Sequence, residues 1–181
     1  MSVLGGLAVS LSVMGADVTP PAAPRKAEPK EKTPAEMVAA GLWLRDFEAA
    51  KKAAGEKKRP ILVNFSGSDW CGWCMKLDKE VLSQKAFKDY AKENLVLFVA
   101  DFPRKKKLPE IETKQNEKLA KSYKVRGFPT VLLLHAEGKT LGETGYKPGG
   151  AEKYVAHIKE LLTKAGEEKK LSPAFSCRGI A

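Results

Sequence analysis

Two runs, Ile61-Leu62-Val63-Asn64-Phe65 and Leu95-Val96-Leu97-Phe98-Val99-Ala100, are apolar with almost no alternation. That is how strands covered on both faces read, and the second has the look of a central strand. Thr130 to His135 and Lys139 to Tyr146 read as an antiparallel hairpin turning at Glu137-Gly138. Elsewhere the apolar positions fall at helical spacing. Thr33 as N-cap, Pro34 at the first helical position and Glu36 closing a capping box open a helix. Trp43, Phe47, Ala50 and Ala54 then share a face that should meet the sheet, and Gly55 should end it. A second helix begins at Cys71 with Met75, Leu77 and Val81 as its apolar positions, and Ser83 can recap the chain for a segment through Phe87 and Tyr90. A third, from about Thr113 to Tyr123, would bury Leu119, Ala120 and Tyr123. The last, from about Ala151 to Ala165, would turn Val155, Ile158 and Leu162 inward, with Gly166 just past its end. The order predicts an α/β fold: one domain over residues 34–166, a mixed central sheet, and helices on both faces.

The flanks differ in composition. Val3 to Val13 is an apolar, small-residue stretch, so residues 1–16 are expected to be a signal peptide, or else a disordered N-terminus. Residues 17–33 carry Pro20, Pro21, Pro24 and Pro29 among charges, the composition of an extended linker. Residues 167–181 read as a loose tail. This arrangement points to a periplasmic or secreted protein; the alternative is a cytoplasmic one with a disordered leader. No stretch approaches the ~20 apolar residues of a transmembrane helix.

The net charge is +10, with Lys and Arg spread along the chain. One concentration, Arg104-Lys105-Lys106-Lys107, falls in a long loop from Asp101 to Ile111. No nucleic-acid motif accompanies the charge, so a solvated basic surface is the expectation and nucleic acid is not an expected partner.

Chemistry concentrates at Trp70-Cys71-Gly72-Trp73-Cys74, which holds two of the three cysteines. A Cys-x-x-Cys pair between a strand and a helix N-terminus is a redox arrangement. The unpaired N–H groups and partial positive charge of the first turn favour thiolate over thiol, making Cys71 the nucleophile. Cys74, one turn on, can close the disulfide and resolve a mixed disulfide. A structural disulfide or two buried apolar residues is the blander alternative.

Tyr123-Lys124-Val125-Arg126-Gly127-Phe128-Pro129-Thr130 lies some fifty residues further on, before the strand Val131-Leu132-Leu133-Leu134. Together the two segments resemble the thioredoxin family, and from about Leu42 to Leu162 the order of elements is similar to that family's. The match is nearest in look to periplasmic thioredoxin-like disulfide reductases. The resemblance implies a thioredoxin fold with a cis bond at Phe128-Pro129 and Pro129 packed against the cysteines. Cys71 should be the more exposed sulfur, with Gly72 and Trp73 tuning the potential. Trp73, Phe128 and Pro129 would contact substrate, the backbone of Phe128 pairing with a substrate strand, while Trp70 packs on the sheet. A monomer exchanging with protein disulfides, recharged by an upstream thiol reductant and needing no cofactor, is what the family implies.

The chain departs from the family's general reductant in one place. Where that type has a buried Asp beneath the cysteines, this chain has Asn64, with Leu97 at the facing position. Asn64 cannot take a proton, so Asp69 or Glu80 would have to serve Cys74 through water. Two other functions fit the motif less well: a Cu(I) metallochaperone, which thiolates suit but which lacks a dedicated His, and a client-binding module without turnover. Cys177 is an odd cysteine in the tail, and His135 and His157 stand alone, so no metal site is expected.

Overall fold

The computed structural model describes residues 32–171. The signal and linker expectations for residues 1–31, and Cys177, lie outside the described residues.

The sheet has four strands in the order β2-β1-β3-β4, formed by β1 (Ile61–Ser66), β2 (Val96–Asp101), β3 (Thr130–Leu134) and β4 (Thr140–Thr144). β1 pairs in parallel with β2 and antiparallel with β3, and β3 with β4 closes the hairpin. β1 and β3 therefore have neighbours on both sides, and every residue of β1 is buried. β2 is at the edge rather than central. It is almost fully buried between the two helical layers, and Leu44 lies along its outer border, donating its N–H to Leu97 C=O (2.8 Å) and accepting from Val99 N–H (3.0 Å).

Period-two alternation sorts the strand side chains onto two helical layers. Ile61, Val63, Phe65 and Phe98 face α1 (Pro34–Ala39), α2 (Phe47–Lys57) and α5 (Glu110–Ser122). Leu62, Leu97, Val131 and Leu133 face α3 (Gly72–Leu77), α4 (Lys85–Asn94) and α6 (Gly150–Leu171).

The capping box at Thr33, Pro34 and Glu36 forms, with Thr33 N–H donating to the Glu36 carboxylate at 2.8 Å. The single helix expected from there to Gly55 is two. Gly41 takes φ +68°, a left-handed turn that ends α1 after six residues. Asp46 then caps a new helix by accepting from Glu48 and Ala49 N–H. The break sends Trp43 to the layer opposite Phe47, Ala50 and Ala54. Gly55 lies inside α2, which closes three residues later: Lys58 adopts φ 51° and Arg59 N–H bonds back to Ala54 C=O.

Two further differences are matters of phase. Cys74 and Leu77 take the inward positions of α3, leaving Met75 about half exposed rather than in the core. A π-helical turn, Asp78–Leu82, then shifts the register so that Val81 and Leu82 are buried. Ser83 does not recap the chain; its hydroxyl donates to Asp78, and Gln84 starts α4 without a side-chain cap. α6 continues through Gly166 to Leu171, past the expected start of the tail. Among the described residues, no helix is long and apolar enough to cross a membrane.

Candidate active site

The two cysteines sit where β1 hands over to α3. Cys71 is the N-cap of that helix, and its Sγ accepts the N–H of Cys74 at 3.2 Å. The pair is closed as a disulfide, with Cα atoms 5.2 Å apart. Both residues are buried, at 6% and 4% exposure, so Cys71 is the more exposed by only a small margin. Position distinguishes the two: the Cys71 sulfur receives a first-turn N–H, that of Cys74, which also bonds Cys71 C=O at 3.1 Å, and such a contact favours a thiolate.

The loop between β1 and Cys71 is fastened from the side. Asp101, buried at the end of β2, accepts Ser68 N–H at 2.9 Å and Ser68 Oγ–H at 2.7 Å, with Lys106 Nζ 3.2 Å away. Burial raises the Asp101 carboxyl, but these donors outweigh it and hold the group below the usual carboxylate range. Asp69 accepts the backbone N–H groups of Arg104, Lys105 and Lys106. The Arg104 N–H does most to lower its carboxyl, against a smaller upward push from burial. Asp69 is thus a loop clamp. Glu80 is engaged too, accepting Tyr146 O–H at 2.6 Å.

Trp70 packs on this loop system rather than on the sheet. Its Nε1–H donates to Phe102 C=O at 2.7 Å, and its ring meets Phe128 edge-on at 5.8 Å. A Cβ at Gly67 would fall 2.5 Å from the ring, so glycine is required for the ring to lie there. Phe128-Pro129 is cis, and Phe128 makes no backbone hydrogen bond among the described residues. Trp73 is 57% exposed and stands against Tyr146 at 5.4 Å, with Lys76 Nζ 5.3 Å from its ring centre. Gly72 precedes it in the first turn, in open space.

Asn64 lies beneath the pair. It lines a cavity of about 330 Å³ together with Cys74, Ser66, Ser68 and Asp78. Its Oδ1 is buried and accepts no hydrogen bond from any described residue. The strand register sets Val99 beside it; Leu97 pairs with Leu62, two residues back. The sequence expectation of a facing Leu97 is corrected by that offset. Asp78 was missed in sequence. It is four residues after Cys74, one helical turn, and that spacing could have shown it.

This geometry can open and close one disulfide at the mouth of a helix, next to an exposed aromatic and an unpaired backbone segment. A thioredoxin-like domain model matches residues 47–161. The chain belongs to the thioredoxin-like family. It is 37% identical over 126 residues to disulfide bond reductase DsbH of Chlamydia pneumoniae, covering 70% of this chain and 76% of that protein. Thioredoxin-related protein DsbJ of the same organism is 30% identical, covering 68% of this chain but 38% of its own length. A solved structure of a DsbH oxidoreductase superposes with a TM-score of 0.66 at 35% identity, covering 76% of this chain and 95% of that one. The fold is the thioredoxin fold, the Cys71–Cys74 pair fits its Cys-x-x-Cys site, and the chain is a thiol–disulfide oxidoreductase.

Among the described residues no three His, Cys, Asp or Glu side chains converge. His135 stands 3.5 Å from Glu137 at the surface, and His157 contacts Thr144 Oγ1 at 3.1 Å.

Proposed function

We propose that the chain reduces protein disulfides outside the cytoplasm. Cys71 as thiolate attacks a client disulfide, forming a Cys71–client bond and expelling the first client thiolate. Cys74 then attacks Cys71 Sγ, expelling the second. The client gains two electrons and two protons, the protein is left as the Cys71–Cys74 disulfide, and an upstream dithiol restores it. The observation that carries this reading is the Cys74 N–H donated to Cys71 Sγ at the start of α3, which gives the two sulfurs different roles.

Trp73, Phe128 and Pro129 form the surface a client meets. An extended client segment can pair with the open backbone of Phe128. Gly72, Trp73 and Asn64 tune the potential. The similarity to a disulfide bond reductase supports reduction as the direction. The apolar Val3–Val13 stretch and the proline-rich linker support export.

Insulin reduction driven by dithiothreitol tests the activity. Cys71→Ser should abolish it, and Cys74→Ser should accumulate mixed disulfides through Cys71. Normal turnover by Cys74→Ser, or trapping by Cys71→Ser instead, would reverse the roles. Cell fractionation with N-terminal sequencing tests the location; an intact Met1 in the cytosol would defeat it.

A further inference from the structure

The loop after β2 does more than clamp the site. Asp69 gathers the N–H groups of Arg104, Lys105 and Lys106, so this loop is curled against the residue two before Cys71. The Arg104 guanidinium sits 3.9 Å from the centre of the Trp70 ring. Trp70 in turn touches Phe128, whose neighbour Arg126 is exposed. Lys76 lies over Trp73 and Tyr146 on the other aromatic cluster, 5.3 and 5.1 Å from the ring centres. Both tryptophans that bracket Cys71 in sequence therefore carry a cation on their rings.

The nearby acids offset these charges only in part. Asp69 is saturated by backbone N–H groups, Asp101 by Ser68 and Lys106, and Glu80 by Tyr146 with Lys76 at 3.9 Å. Among the described residues, Arg104, Lys105, Lys107 and Arg126 have no ion-pair partner, and all four are exposed. Asp101 binds inward, into the fold; Asp69, Asp78 and Glu80 stay at least partly exposed, and the four unpaired cations face out.

Resting on the reductase reading above, we infer that this rim selects clients whose disulfide is flanked by an acidic segment. The occupant must bring anionic groups to the loop and an extended backbone to Phe128. Polypeptide offers both, whereas a lipid headgroup or nucleic acid offers only the first. Rim charges act chiefly on the rate of encounter and on the choice of partner, and salt screens them.

The test uses the reduced full chain and two peptides with one disulfide, flanked by Glu-Glu in one and Gln-Gln in the other. At low ionic strength kcat/KM should favour the acidic peptide by about tenfold. In 1 M salt, where the screening length is about 3 Å, the ratio should approach one. Lys105→Gln/Lys107→Gln should lower the low-salt ratio at least about threefold. Lys52→Gln/Lys121→Gln, an equal loss of charge elsewhere on the surface, should not. Equal rates with the two peptides, or an equal loss in both double variants, would overturn the inference while leaving the reductase reading intact. Retention on phosphatidylglycerol vesicles without any peptide preference would assign the cations to a lipid surface and also overturn it. Exchange with neither peptide would remove the reductase reading, and the rim with it.

Discussion

Asp101 holds Ser68 twice, through its N–H and through its hydroxyl, so the last residue of β2 fixes the loop that delivers Cys71. Both groups are donors that no apolar side chain at position 101 could satisfy. Asp101→Ala should destabilise the protein by about 1–3 kcal/mol, the usual cost of stranding such donors. The acid response follows from the same contact. A carboxyl held below its ordinary value of about 3.9 stabilises the fold at neutral pH. That contribution fades as pH falls from about 4 through the lower folded value. Urea unfolding from pH 7 to pH 2 should show wild-type stability dropping in acid and a flatter profile for Asp101→Asn. Parallel profiles would mean that other carboxyls dominate the acid transition.

Gly67→Ala should dislodge Trp70. The added Cβ meets ring atoms at 2.5–2.8 Å, so the indole must move off Phe102 C=O. Overpacking of this kind costs about 1–3 kcal/mol. The Trp70 indole N–H resonance reports it directly: a large shift is expected, and an unchanged resonance would contradict the model of the loop.

Asn64→Leu should make the protein a stronger reductant. In the disulfide form no described residue donates to the buried Oδ1, and Cys74 lines the same cavity, so reduction would offer it an S–H there. The amide thereby disfavours the oxidised state, and an apolar replacement removes that bias. A stranded acceptor is worth about 1–3 kcal/mol, and 30 mV corresponds to about 1.4 kcal/mol, so the potential should fall by roughly 20–60 mV. Redox equilibration with glutathione measures it. No change, or a rise, would show that Asn64 and Cys74 do not meet on reduction.

Asn64→Asp is expected to quicken resolution only above neutral pH. A carboxylate there can accept the Cys74 proton, which the amide cannot, but burial raises its pKa. Stopped-flow exchange across pH, compared with wild type, is the check; superimposable profiles would mean another group already takes the proton.

Trp73→Ala should separate docking from chemistry. The ring is 57% exposed, so stability should change by less than about 0.5 kcal/mol. Exchange with insulin should slow several-fold while exchange with a small aromatic disulfide stays near wild type. Equal slowing of both would place Trp73 in the chemistry itself.

Much of this was readable from residue order. The strands, the hairpin, the capping box at Thr33 and the Cys-x-x-Cys pair all express local chemistry: alternation, cap donors and helix N-terminal N–H groups. The rest depends on contacts distant in sequence. Nothing local says that Asp101 will meet Ser68, 33 residues back, or that Asp69 will collect the N–H groups beyond Arg104. Trp43 at helical spacing with Phe47 misled because Gly41 and Asp46, both visible turn residues, outweigh an apolar stripe. Met75 misled because Cys74 is the small, apolar residue that its helix buries. The edge placement of β2 was hidden because helical layers cover both of its faces, which makes an outer strand as apolar as an inner one; Leu44 covers part of its open border.

That cover also decides where another chain can join the sheet. A bare outer strand is a template for any extended polypeptide, including a half-unfolded client released from its disulfide. With Leu44 already bonded to Leu97 and Val99, such a client finds the middle of the β2 border taken, while β4 forms the other border of the sheet. The peptide-pairing backbone left open near the sulfurs is that of Phe128, where capture ends when the mixed disulfide is resolved.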